Sequence, residues 1–112
     1  HENISLTTQQ VKSVDDVKNE LINDLESKIT IDELADNYGI SKTTLKNCFK
    51  KVHGKPIFKW RKEYKLEYAC KLIEGGSCTI SEISKMVGYS SPSKFTQAFK
   101  EYIGCTPSEY KK

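Results

Sequence analysis

An all-α fold, two helix-turn-helix subdomains joined by a long linker helix and about seven helices in all, is what this sequence of 112 residues predicts. Three observations carry the prediction. In the stretch from Thr79 to Tyr110, Ile80, Ile83, Met86 and Val87 recur at helical spacing up to Gly88, and a second apolar series, Phe95, Ala98, Phe99 and Tyr102, begins after Ser-Ser-Pro. Residues 30–52 repeat the same pattern, with Ile31, Leu34, Ala35 and Tyr38 up to Gly39, then Leu45, Cys48, Phe49 and Val52. Between them, one segment from Ile57 to about Glu74 carries Trp60, Tyr64, Leu66, Ala69, Cys70, Leu72 and Ile73 without a break, bounded by Pro56 and Gly75-Gly76.

Taken in order, residues 1–12 are polar and lack periodicity, so they are expected to be a linker or an expression remnant. From Ser13 to about Ser27, Val14, Val17, Leu21, Ile22 and Leu25 follow helical spacing. Ser13 is the expected cap and Asp15 and Asp16 the acidic first turn of this supporting helix, which with residues up to 54 makes the first subdomain, 13–54. Thr30 and Glu33 have the spacing of a capping box, and Gly39 suits the turn. Ser41 then caps a helix from Lys42 to about Val52 whose outward residues are Lys42, Thr43, Lys46, Asn47 and Lys50.

Residues 55–76 form the predicted linker helix, whose helical part from Ile57 to about Glu74 spans roughly 27 Å at 1.5 Å per residue. The second subdomain is 77–112. There Gly88 can adopt the left-handed conformation that ends one helix, Ser91 can cap the next, and Pro92 fits its first position, where no amide donor is missed. Beyond Pro107 at most one further turn is expected.

The two subdomains match position by position: Thr30-Ile31 with Thr79-Ile80, Glu33 with Glu82, Gly39 with Gly88, Leu45 with Phe95, Phe49 with Phe99, Gly54 with Gly104 and Pro56 with Pro107. The offset grows from 49 to 51, and the two implied insertions fall in turns, which marks a structural repeat.

Composition narrows the class further. No long apolar run of a membrane span or signal peptide is present, so a soluble, cytoplasmic protein with no membrane partner is expected. The net charge of +3 hides an asymmetry, because residues 1–28 carry −3 and residues 29–112 carry +6. The basic charge therefore belongs to the patterned part, compatible with a nucleic-acid partner. Cys48, Cys70, Cys78 and Cys105 have no C-x-x-C spacing and only His1 and His53 could assist them, so no metal site, cofactor or disulfide framework is expected. Cys48 and Cys70 fall on apolar helical faces and read as buried thiols.

A helix-turn-helix lays its second helix in the major groove, where outward residues reach base edges while flanking groups hold phosphates. Successive major grooves on one face of B-DNA lie about 34 Å apart, a separation a spacer helix can match. One chain is thus expected to read two half-sites on double-stranded DNA.

The segment GYSSPSKFTQAFKEYIGCTPSEY is similar to the C-terminal signature of the AraC/XylS family of bacterial transcription regulators, with its Gly-Tyr, serine-rich turn, Phe, Ala-Phe-Lys, Gly, Thr-Pro and terminal Tyr. ELADNYGISKTTLKNCFKKVHGKPIFKW and KLEYACKLI also resemble the family pattern, so the resemblance covers about residues 14–110. It implies the C-terminal DNA-binding domain of such a regulator, usually an activator. By position it implies base contacts from Thr43, Lys46 and Asn47 in the first recognition helix and Ser93, Thr96 and Gln97 in the second. Asn and Gln suit adenine, Lys suits guanine O6/N7, and Thr offers a hydroxyl or a methyl. Phosphate contacts are assigned to Lys42, Lys50, Lys51, Arg61, Lys94 and Lys100. Two departures stand out. Lys65 replaces the usual arginine and cannot make its planar fork, and the second recognition helix carries Glu101 with few bases, so the first is expected to be the stronger reader. Larger family members carry an N-terminal effector-sensing or dimerising domain to which nothing here corresponds, so the chain is expected to be a piece cut at the interdomain linker, with RNA polymerase a further partner.

The alternative is a helical protein-interaction module docking on polymerase or another regulator, which the basic recognition face disfavours. No enzymatic activity is expected: His53 has no evident Ser or Cys partner, no Gly-rich phosphate loop occurs, and the acids fall on helix surfaces.

Overall fold

Seven helices run through residues 7–111, the part of the chain described by a computed structural model, and no strand occurs among those residues. They are α1 (Thr8–Asn23), α2 (Ile31–Asn37), α3 (Lys42–His53), α4 (Ile57–Gly75), α5 (Ile80–Met86), α6 (Pro92–Ile103) and α7 (Pro107–Lys111). Their starts are fixed by side chains that satisfy otherwise orphaned amides. Thr30 and Glu33 close a reciprocal capping box on α2, and Thr79 and Glu82 close its counterpart on α5. Ser41 accepts from the Thr44 amide at 3.0 Å, and Ser91 from that of Lys94 at 3.2 Å. The α3 and α6 ends are matched too, with Gly54 and Gly104 left-handed and each donating its amide four residues back.

By packing, the chain divides into two units. Among the described residues, the first joins those up to Asn23 with Lys28–Trp60, and the second joins Asp24–Ser27 with those from Arg61 onward. In the first, Val14, Val17 and Leu21 of α1 pack with Leu34, Ala35, Leu45, Cys48, Phe49 and Ile57. In the second, Leu25 and the α4 residues Leu66, Ala69 and Ile73 pack with Ile83, Val87, Phe95, Ala98 and Phe99. Residues 55–76, expected from sequence to be a spacer, are divided by this packing. The first turn of α4 belongs to unit 1 and the remainder to unit 2.

That division makes the two units alike. In unit 1, α1 supports the pair α2–α3 and the start of α4 closes it; in unit 2, the body of α4 supports α5–α6 and α7 closes it. The closing rings correspond. Trp60 meets Phe49 edge-on at 5.7 Å and 75°, and Tyr110 meets Phe99 at 5.7 Å and 78°. The Trp60 amide donates to the Pro56 carbonyl and the Tyr110 amide to that of Thr106, so Pro56 is equivalent to Thr106. The repeat offset therefore rises from 49 to 50, not to 51. One residue is inserted, in the turn that precedes Ser91, and prolines at 56 and 107 drew the sequence alignment one place too far.

The supporting helix also differs from expectation. It runs Thr8–Asn23 instead of Ser13 to about Ser27. Thr7 supplies the cap: its amide donates to Gln10 Oε1 and its Oγ1 accepts from the Gln10 amide, both at 3.0 Å. Residues 8–12 are consequently helical, Ser13 is a buried residue on the helix, and Asp15 and Asp16 lie past the first turn. Residues 1–6 of the expected linker lie outside the described part. At the other end, a turn closed by Ser27 donating to the Asp24 carbonyl at 3.2 Å stops the helix. Three apolar residues expected to face inward, Val52, Met86 and Tyr102, are more than a third exposed because they sit in last turns, beyond the packed part of their helices. Tyr102 instead donates its hydroxyl to Glu67 at 2.5 Å, and Tyr110 donates to Glu74, so both tie the ends of unit 2 to α4.

Candidate nucleic-acid interface

The turn between α2 and α3 sets which face of α3 is free. Gly39 at φ +65° reverses the chain and Ser41 caps the new helix, after which Leu45, Cys48 and Phe49 are drawn into the core. A 3.6-residue period then leaves Thr43, Lys46, Asn47 and Lys50 outside, and all four are exposed. Thr43, Lys46 and Asn47 stand at i, i+3 and i+4, one above the other on a single stripe. Lys51 is also exposed, while Lys42 is held by Asp32 at 3.1 Å in a solvent-facing ion pair.

In unit 2, Gly88 at φ +86° and the Ser91 cap do the same for α6, which buries Phe95, Ala98 and Phe99. Ser93, Thr96 and Gln97 repeat the i, i+3, i+4 spacing. Ser93 and Gln97 are exposed, but Thr96 is half-buried, and the Gln97 amide leans towards Glu101 Oε2 at 3.4 Å. Lys94 and Lys100 are exposed beside this stripe. The α6 face therefore offers fewer unengaged donors than the α3 face.

Arg61 differs from the other cations assigned to phosphates. It is only 5% exposed, and its Nη2 donates to the Asp24 carbonyl at 2.9 Å. Burial lowers its affinity for the proton and the neighbouring Asp24 raises it again. A guanidinium buried and bonded in this way braces the Asp24–Ser27 turn; its head is not on the exposed face.

Two residues that sequence reasoning passed over join the α3 stripe. Phe58 and Lys59, in the first turn of α4, line a groove together with Lys46, Asn47 and Lys50. The sequence carries a signal for them, an aromatic and a lysine in the turn just after Pro56, which a linker-helix reading leaves without a role. The thiols behave as core and flank residues: Cys48 is buried, Cys70, Cys78 and Cys105 are half-buried, and burial pushes the Cys48 and Cys70 thiols up. No helix among the described residues is long and apolar enough to cross a membrane.

Comparison with known proteins places this arrangement among similar ones. A family profile described as a helix-turn-helix domain matches residues 34–112. The chain is 35% identical over 79 residues to the virulence regulon transcriptional activator VirF of Yersinia enterocolitica, a match covering 70% of this chain and 29% of that protein. The chain thus spans less than a third of the length of such curated relatives. Among solved structures, it superposes with a TM-score of 0.80 and 23% identity on a transcriptional regulator described as AraC-type from Chromobacterium violaceum, covering 94% of each chain. With the DNA-binding domain of AdpA, solved in complex with a target DNA, the TM-score is 0.81 at 20% identity, covering 88% of this chain and 89% of that one.

Proposed function

The chain belongs to the AraC/XylS family of helix-turn-helix transcription regulators, and from that membership we propose that it binds double-stranded DNA with sequence preference, through α3 in one major groove and α6 in the next. The observation that carries this reading is the exposed stripe Thr43, Lys46 and Asn47 on α3, presented by a glycine turn and a serine cap. Thr43, Lys46, Asn47, Ser93, Thr96 and Gln97 would read bases, and Lys42, Lys50, Lys51, Lys94 and Lys100 would neutralise phosphates. The proposed functional division is a first subdomain of residues 13–54, a linker helix of 55–76 and a second subdomain of 77–112. In this reading the domain serves a cytoplasmic transcription activator that is no enzyme. Its other partners would be an N-terminal effector-sensing or dimerising domain and RNA polymerase.

The test is selection of bound sites from random duplexes, followed by titration of the winner at several salt concentrations. The expected result is two enriched half-sites about one helical turn apart and a log–log salt slope steeper than that of a single contact. Enrichment of no sequence would sink the reading and favour a protein-docking module.

A further inference from the structure

Deepening the DNA-binding reading and resting on it, we propose that the groove between α3 and the first turn of α4 is a seat for the DNA backbone, with Lys59 binding a phosphate and Phe58 packing on the adjoining sugar. The groove encloses about 390 Å³, and its walls are the outward side of α3 and the turn beginning at Pro56. Lys46, Lys50 and Lys59 surround it, no carboxylate lines it, and its apolar surface comes from Pro56, Ile57 and Phe58. Phe58 is 40% exposed there. A sugar-phosphate chain offers an anion for the ammonium groups and an apolar sugar edge for the ring. It also runs beside whatever base edge Asn47 reaches, since Asn47 opens onto the same groove.

The repeat supplies a second, independent reason. Because Pro56 is equivalent to Thr106, Lys59 is equivalent to Glu109. Glu109 closes a capping box: its carboxylate accepts from the Thr106 amide at 2.9 Å, and its own amide donates to Thr106 Oγ1 at 3.2 Å. Pro56 has no amide to cap, so the third position of α4 is released from that duty. A lysine there opposes the helix dipole, which favours an acid at this end. The position therefore carries a cation against its local preference, beside two more cations and an apolar wall, which is the pattern of an anion contact.

The experiment measures binding of the full chain to its selected duplex over a salt series, with Lys50→Ala as the phosphate-contact standard and Lys71→Ala, an exposed lysine elsewhere on α4, as the control. Lys59→Ala is expected to flatten the salt slope by about 0.9 and weaken all sequences alike, and Phe58→Ala to weaken binding about tenfold with the slope unchanged. Lys59→Glu should raise the midpoint of thermal unfolding by relieving the dipole while binding falls further, a divergence that a merely structural role would not produce. Ethylation of one phosphate should block the parent chain yet be tolerated by Lys59→Ala. If Lys50→Ala flattens the slope and Lys59→Ala matches Lys71→Ala, the groove is not a backbone seat although the DNA-binding reading stands. If none of these lysine changes alters binding, that reading falls as well.

Discussion

The carbonyl oxygen of Leu25 lies 2.2 Å from the point where a Cβ on Gly88 would stand. Gly88 also has φ +86°, so a side chain there meets both backbone strain and a backbone atom that cannot rotate away. Its repeat partner Gly39 shares the positive φ, at +65°, but has nothing within 4 Å of the same point. Gly88→Ala should therefore cost about 3 kcal/mol and Gly39→Ala about 1 kcal/mol, measured by urea unfolding. Equal losses would show that the Leu25 contact yields easily.

Asn47→Ala and Gln97→Ala should each alter preference at one position of the selected site, by about 1–3 kcal/mol against the original base. Because Gln97 is partly engaged by Glu101 and Thr96 is half-buried, Lys46→Ala should weaken binding more than Gln97→Ala. Affinities of the single variants for the selected duplex decide the order, and the reverse order would make α6 the stronger reader.

Arg61→Ala should lower stability by about 2 kcal/mol, since it strands the Asp24 carbonyl that the guanidinium now serves. The salt slope of DNA binding should stay at the parent value. A flattened slope would return Arg61 to the phosphate contacts.

Acid should loosen unit 1 through His53. Burial, then Lys18, lowers its proton affinity below the ordinary 6.5, and Asp15 offsets part of this. The Phe49 and Trp60 rings lie 4.5 and 5.9 Å from the imidazole, and Asp15 Oδ1 is 3.8 Å from Nε2. The unfolded chain therefore takes up the proton first as pH falls. The neutral form's contribution is fully present above pH 6.5 and is lost as pH drops below it, until the folded imidazole also titrates. Urea unfolding between pH 7.5 and 5 should show stability falling, and His53→Gln should flatten that dependence. A parent and variant with parallel profiles would exclude His53 as the cause.

Much of this fold was legible because its signals are local. The Thr30–Glu33 box, the serine caps at 41 and 91 and the glycines at 39 and 88 act within four residues, and each holds the conformation that its spacing implied. The α3 stripe was legible for the same reason, as the outside of a short amphipathic helix. What escaped depends on partners distant in sequence. Leu25 continues the apolar series of α1, yet it is claimed by a core whose other members begin at Leu66, so the helix stops before it. Arg61 looked like a surface cation until its partner, a backbone carbonyl 37 residues earlier, was known. The Thr7–Gln10 cap was readable from its spacing, but the polar composition around it concealed it.

Helix α4 closes one unit with Ile57 and Trp60 and supports the other with Leu66, Ala69 and Ile73. Neither copy of the repeat can therefore be traded between relatives as a cassette cut at the helix ends. A crossover at residue 55 would exchange the lid of unit 1 for a foreign one, and a crossover at residue 76 would graft α5 and α6 onto a foreign buttress. A chimaera joined inside α4, between Trp60 and Arg61, keeps both cores whole only if residues 24–27, whose Leu25 belongs to the second core, come from the parent that supplies Arg61 onward, and that paired exchange is where recombined relatives should fold best.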